Sequence, residues 1–131
     1  MALRKASRVL TGIYDSHLSR HGITITQFSL LRSIRRRERA SLSELAEAMV
    51  MERTTLYRTI QPLEKAGLVV IANADKGHVR LASLTDAGHA KLAAAEPAWK
   101  ESELEINKRL GASALETLHT LSINITELAK A

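Results

Sequence analysis

A mainly α-helical chain with a small β-wing is the α+β architecture this sequence predicts: a winged helix-turn-helix with helical extensions for dimerisation. Three observations predict it. Residues 41–67 hold two short helical patterns with almost no linker between them, the second ended by Gly67. Two β-prone runs, residues 68–71 and 79–84, flank Asn73-Ala-Asp-Lys-Gly-His. Long amphipathic patterns lie on both sides of this block.

The elements follow in order. Residues 3–21 read as a helix with Leu3, Val9, Leu10, Ile13, Tyr14 and Leu18 on its apolar side, and Gly22 stops it. After a short connector, Thr26 is the expected cap of a second helix. That helix buries Phe28, Leu30, Leu31 and Ile34 and runs into Arg35-Arg-Arg-Glu-Arg39. Ser41 caps the first motif helix, which puts Leu42, Leu45, Ala46 and Met49 on one face. The second motif helix starts near Met51 and buries Leu56, Ile60 and Leu63. Pro62 lies inside it and cannot bond the Arg58 carbonyl, so a bend is expected there. Gly77 supplies the positive φ that the turn between the strands wants. Thr85 caps a long helix over residues 86–110, with Asp86 at its positive end and a kink expected at Pro97. Gly111 breaks that helix, and a last one over residues 113–129 carries Leu115, Leu118, Leu121, Ile125 and Leu128. Residues 26–85 thus form the expected DNA-binding region, and 1–25 with 86–131 the helical dimerisation region. The end helices carry apolar stripes longer than one small winged-helix lobe could cover, and a homodimer would bury them.

Composition narrows the function classes. The 131 residues contain no cysteine, which excludes disulfides, thiolate metal sites and thiol redox switching. Arg4 and Lys5 are not followed by an apolar signal-peptide core, and no apolar run approaches the ~20 residues that span a bilayer, so a soluble cytoplasmic protein is expected. The net charge of +5 is uneven. Residues 1–25 carry four Lys/Arg against one acid, residues 26–90 ten against seven, and residues 91–131 five against six. The basic excess therefore accompanies the helix-turn-helix, as phosphate binding requires.

The second motif helix carries the chemistry. With Leu56 at the centre of the buried face and about 100° per residue, Thr54, Arg58, Gln61 and Lys65 point away, flanked by Thr55 and Tyr57. An arginine fork can bond guanine edges, glutamine can read adenine, and threonine hydroxyls reach phosphates or bases. Arg58 is the expected base reader, and Arg53, Thr54 and Thr55 position the backbone near the helix start, where free N–H groups attract phosphate. Ser41 and Ser43 join this DNA-binding set. In the wing, Lys76, His78 and Arg80 surround Gly77 and could grip phosphate or enter a minor groove. The Arg35–Arg39 run is either a second phosphate clamp or a solvated helix end.

No Gly-rich phosphate loop, metal-spaced cluster or nucleophile elbow is present, so no enzyme is expected. His17 and His21 stand one helical turn apart, but two imidazoles without a nearby carboxylate make a weak site, and neither metal nor cofactor is expected. The competing reading is a winged-helix module for protein association without an operator. Its binding face should show apolar or aromatic anchors, whereas this one shows Thr, Arg, Gln and Lys.

Several segments in this order and spacing are similar to the MarR family of bacterial transcriptional regulators. They are residues 22–31 (Gly-Ile-Thr-Ile-Thr-Gln-Phe-Ser-Leu-Leu), 41–46 (Ser-Leu-Ser-Glu-Leu-Ala), 52–58 (Glu-Arg-Thr-Thr-Leu-Tyr-Arg), 62–69 (Pro-Leu-Glu-Lys-Ala-Gly-Leu-Val) and 84–88 (Leu-Thr-Asp-Ala-Gly). Pro97-Ala-Trp99 resembles one branch of that family. The resemblance implies a homodimer whose terminal helices interlock and whose two winged lobes bind a pseudo-palindromic operator in double-stranded DNA. It implies a repressor that leaves DNA when a small aromatic or phenolic ligand binds between the dimerisation region and the lobe. Tyr14, His17, Arg20, His21 and Trp99 would line that pocket. The chain departs from the family in the wing. Where members often carry Asp-x-Arg, it has Lys76 and His78, so the Asp support is missing and Lys76 and Arg80 take the basic role.

Overall fold

Helix boundaries follow the caps. In the computed structural model, which describes residues 1–74 and 77–130, α1 (Ala2–Leu18) continues into a 3-10 turn, Ser19–His21, and stops where Gly22 turns left-handed. Thr24, not Thr26, caps α2 (Ile25–Arg37). Its hydroxyl accepts the Gln27 N–H while the Gln27 side chain accepts the Thr24 N–H. Such a reciprocal box needs Glu or Gln three residues on, and Thr26 has Ser29 there. Glu38, with φ at 62°, ends α2.

Next comes β1 (Ala40–Ser41), a strand that the sequence did not predict. Two residues are too short for any periodicity, and their pairing with a segment forty residues away defines them. Ser41 caps α3 (Leu42–Ala48) as expected, through a box with Glu44. Accepting the Ser41 N–H holds the Glu44 carboxyl below the ordinary carboxylate range. The turn to α4 (Arg53–Lys65) passes through Val50, whose φ of 51° is unusual for a β-branched residue. Gly67, also left-handed, follows α4. The strands β2 (Val69–Asn73) and β3 (Arg80–Leu84) each begin one residue later than predicted. They pair antiparallel, Val69 opposite Leu84 and Asn73 opposite Arg80, and β3 also pairs β1, giving the order β1-β3-β2. Thr85 caps α5 (Asp86–Leu110), and after Gly111 comes α6 (Ala114–Glu127). Pro62 and Pro97 lie within helices that continue past them.

The core joins α2, α3, α4, the sheet and the first half of α5. Phe28, Leu31, Ile34, Leu45, Leu56, Ile60, Leu63, Ala82 and Leu92 form one buried cluster. Each large side chain in it contributes about 1.5–3 kcal/mol through removal from water. Leu18 at the end of α1 joins the same cluster, and α1 then runs along α5. No residue of α6 is buried, and Leu118, Leu121, Ile123, Ile125 and Leu128 are exposed on or beside it. Among the described residues, no helix is long and apolar enough to cross a membrane.

Candidate nucleic-acid interface

The helix α4 is anchored by one face and presents the other. Leu56, Ile60 and Leu63 are at most 2% exposed and fix the rotation of the helix on the core. That rotation leaves Arg53, Thr54, Thr55, Arg58, Gln61 and Lys65 exposed. The Thr59 hydroxyl donates to the Thr55 carbonyl within the helix. Tyr57 is half-buried and packs on the core, so its ring is partly committed to the lobe. Glu52, at the start of α4, makes no side-chain cap, so the first-turn N–H groups face outward without a side-chain acceptor. Among the described residues, no carboxylate lies within ion-pair distance of Arg53, Arg58 or Lys65. A cationic, hydroxyl- and amide-bearing helix face with a free N-terminus can contact base edges and phosphates together.

The remaining predicted contacts distribute unevenly around this face. Ser43 is exposed at the start of α3. Ser41 is half-buried, and its hydroxyl is already engaged as the α3 cap. Gly77 has the predicted positive φ, and His78 and Arg80 are exposed beside it. Lys76 lies outside the described residues. Arg35, Arg36, Arg37 and Arg39 are all exposed at the end of α2, and Arg37 donates to Ser33 Oγ.

The five predicted ligand-lining residues do not converge. Tyr14, His17 and Arg20 sit on the seam between α1 and α5 and meet its glutamates. Tyr14 donates to Glu103 Oε2 at 2.8 Å, and Arg20 to Glu101 Oε2 at 2.9 Å. Burial first, then the hydrogen bond and charge of Glu103, push the Tyr14 hydroxyl above the ordinary phenol range. The bond from Arg20 holds the Glu101 carboxyl below its ordinary range. His21 contributes its carbonyl, which accepts from Lys91 Nζ. Trp99 instead stacks on Phe28 with centroids 5.7 Å apart, and the Arg32 guanidinium lies 4.5 Å from its ring centre. A cleft of about 950 Å³ opens elsewhere, where Val50, Met51 and Glu52 meet Thr126 and Lys130.

One expectation is corrected outright. His17 does have carboxylates nearby, Glu101 at 3.6 Å from Nδ1 and Glu105 at 3.3 Å from Nε2. Both come from α5, more than eighty residues along the chain, where sequence spacing carries no information. They flank opposite ring nitrogens rather than converging on one point. No metal-binding group of His, Cys, Asp or Glu occurs among the described residues. Sequence reasoning also missed Glu101, Glu103 and Arg32 as partners. The only signal for the glutamates was their alternation, 101, 103 and 105, on a helix.

Comparison with known proteins supplies the remaining facts. Residues 23–70 match the model of the MarR family. The M. tuberculosis transcriptional regulator MOSR, solved in complex with DNA, is 30% identical, with 98% of this chain and 93% of that one covered at a TM-score of 0.83. A probable transcriptional regulator from Pseudomonas aeruginosa is 26% identical, with 95% and 93% covered at 0.84. A mutant MarR from E. coli, complexed with operator DNA, is 23% identical, with 95% and 90% covered at 0.83, a likeness of fold. No curated protein matches the sequence.

Proposed function

The chain belongs to the MarR family, and from that premise we propose that it is a homodimeric, sequence-specific double-stranded DNA-binding protein that represses transcription from a pseudo-palindromic operator in the cytoplasm. Family members are DNA-binding transcriptional regulators, not enzymes. The observation that carries the reading is the exposed face of α4, where Thr54, Arg58 and Gln61 stand outward on a helix whose opposite side buries Leu56, Ile60 and Leu63. Residues 26–85 are the DNA-binding region in this reading. The match to the family over residues 23–70 falls largely within it. Residues 1–25 and 86–131 are the dimerisation region, supported by the exposed apolar side chains of α6. Arg58 and Gln61 read bases. Arg53, Thr54, Thr55 and Ser43 hold phosphates, and His78 and Arg80, with Lys76, form the wing contact. A small aromatic or phenolic ligand relieves repression by loosening the seam between α1 and α5, where Tyr14, His17 and Arg20 meet α5.

The test is a mobility-shift assay with the duplex upstream of the protein's own gene, repeated at rising salt. Specific retardation that weakens linearly in log salt is the expected result. No salt-dependent retardation of any duplex would reject the reading and favour a protein-association module.

A further inference from the structure

Thr85 ties two backbone segments together through three hydrogen bonds. Its N–H donates to the Leu68 carbonyl at 3.1 Å, and its hydroxyl donates to the Gly67 carbonyl at 2.6 Å. The same hydroxyl accepts the Gly88 N–H at 3.0 Å. Gly67 and Leu68 are the residues on which the chain leaves α4, and the Leu68 N–H turns back to the Leu63 carbonyl inside that helix. Thr85 and Gly88 are the cap and first turn of α5. The start of the long helix is therefore bonded to the end of the helix that presents Arg58.

Gly88 makes the contact closer still. It is buried, and a Cβ added there would collide with the Leu68 carbonyl. Backbone meets backbone with no side chain between them, so the joint cannot be compressed, and nothing flexible in it can yield. Its position gives it leverage. It lies at one end of the 25-residue α5, a helix about 37 Å long at 1.5 Å per residue. A small change of angle at the joint becomes a displacement of α4 relative to the far end of that helix.

We infer that the Thr85–Gly88 joint is a positioning device: it sets the angle of α4 on α5 and thereby the half-site spacing that the paired lobes accept. The inference rests on the reading of the chain as a dimeric DNA-binding regulator. Both residues act through α4 and not by touching bases. The Thr85 hydroxyl spends its proton and an acceptor lone pair inside the joint, and Gly88 has no side chain to offer. Their loss should therefore leave the half-site sequence intact and change only the distance between half-sites. A merely stabilising role would lower affinity and leave the spacing alone.

The experiment lets the full chain and its Thr85→Val, Thr85→Ser and Gly88→Ala variants each select from one library of random-sequence duplexes, followed by sequencing of the bound fraction. The parent should recover paired half-sites at one sharply preferred spacing. Thr85→Val and Gly88→Ala should recover the same half-sites with the spacing broadened or moved by about one base pair, ~3.4 Å along the duplex. Thr85→Ser keeps both hydrogen bonds and should match the parent. If Thr85→Val and folded Gly88→Ala retain the parent's spacing, the inference is overturned; should Gly88→Ala lose its helical circular dichroism, Thr85→Val decides alone. A parent that selects no half-site at all instead sinks the regulator reading, and this inference falls with it.

Discussion

Arg58 and Arg53 share one helix face, but their tests differ because base edges and phosphates are read differently. In the proposed interface Arg58 forks onto a base pair, so Arg58→Ala should lose about 1–3 kcal/mol of discrimination against a mismatched operator. Competition mobility shifts with matched and mismatched duplexes measure this, and a variant that discriminates between them as the parent does would reject the role. Arg53 stands in the first turn of α4, where a phosphate contact is expected. Arg53→Ala should reduce the slope of log affinity against log salt by about one and leave sequence preference unchanged. Tyr14 gives a test independent of DNA. Its folded pKa lies above the unfolded value of 10.0, so the folded state holds the phenol proton more tightly. That contribution is complete below about pH 10 and is lost as pH rises beyond it, because only the unfolded phenol ionises there. The thermal midpoint of the parent should fall more steeply than that of Tyr14→Phe between about pH 9 and 11. Parallel curves would show that the buried Tyr14 hydroxyl carries no such linkage.

At the scale of elements, caps decide where helices begin, and Ser41 is the cap that its sequence predicts. The Ser41 hydroxyl accepts the Glu44 N–H, and the Glu44 carboxylate accepts the Ser41 N–H. Ser41→Ala should therefore cost about 0.5–2 kcal/mol of stability in denaturant unfolding, and Ser41→Gly only a few tenths. Equal losses for the two variants would mean that the box is not what stabilises α3. The same logic explains why Thr24 displaces Thr26. Residue type marks both as caps, and only the residue three places on separates them. The strand β1 shows the opposite limit. Ala40 and Ser41 have no strand character of their own and become a strand because Ala82 and Leu81 lie opposite.

For the whole molecule, the unresolved balance of the monomer is the apolar surface of α6. A 14-residue helix with no buried residue, held to α5 only at its start where Ala114 and Leu115 are half-buried, gains little from tertiary packing, and helices of that length are marginal alone in water. A second copy covering Leu118, Leu121 and Ile125 would supply the missing burial. In that arrangement Ile125→Glu should sediment at the mass of one chain and bind the operator far more weakly, while the parent sediments at twice the chain mass. A parent that stays monomeric at assay concentration would remove the interlocked-helix arrangement from the proposal.

The sequence by itself determined the motif and the rotation of its key helix. Leu56, Ile60 and Leu63 must face inward together, and helical geometry then turns Thr54, Arg58 and Gln61 outward, a local matter of about 100° per residue. It also determined the α5 cap at Thr85, which depends on nearby residues alone. Only the tertiary structure decided what meets across long stretches of chain. The glutamates of α5 hold Tyr14, His17 and Arg20, β1 pairs β3, and the backbone of Gly88 rests on Leu68. Periodicity records the face a residue shows, but not the partner that face meets, because that partner is chosen by packing the whole chain at once.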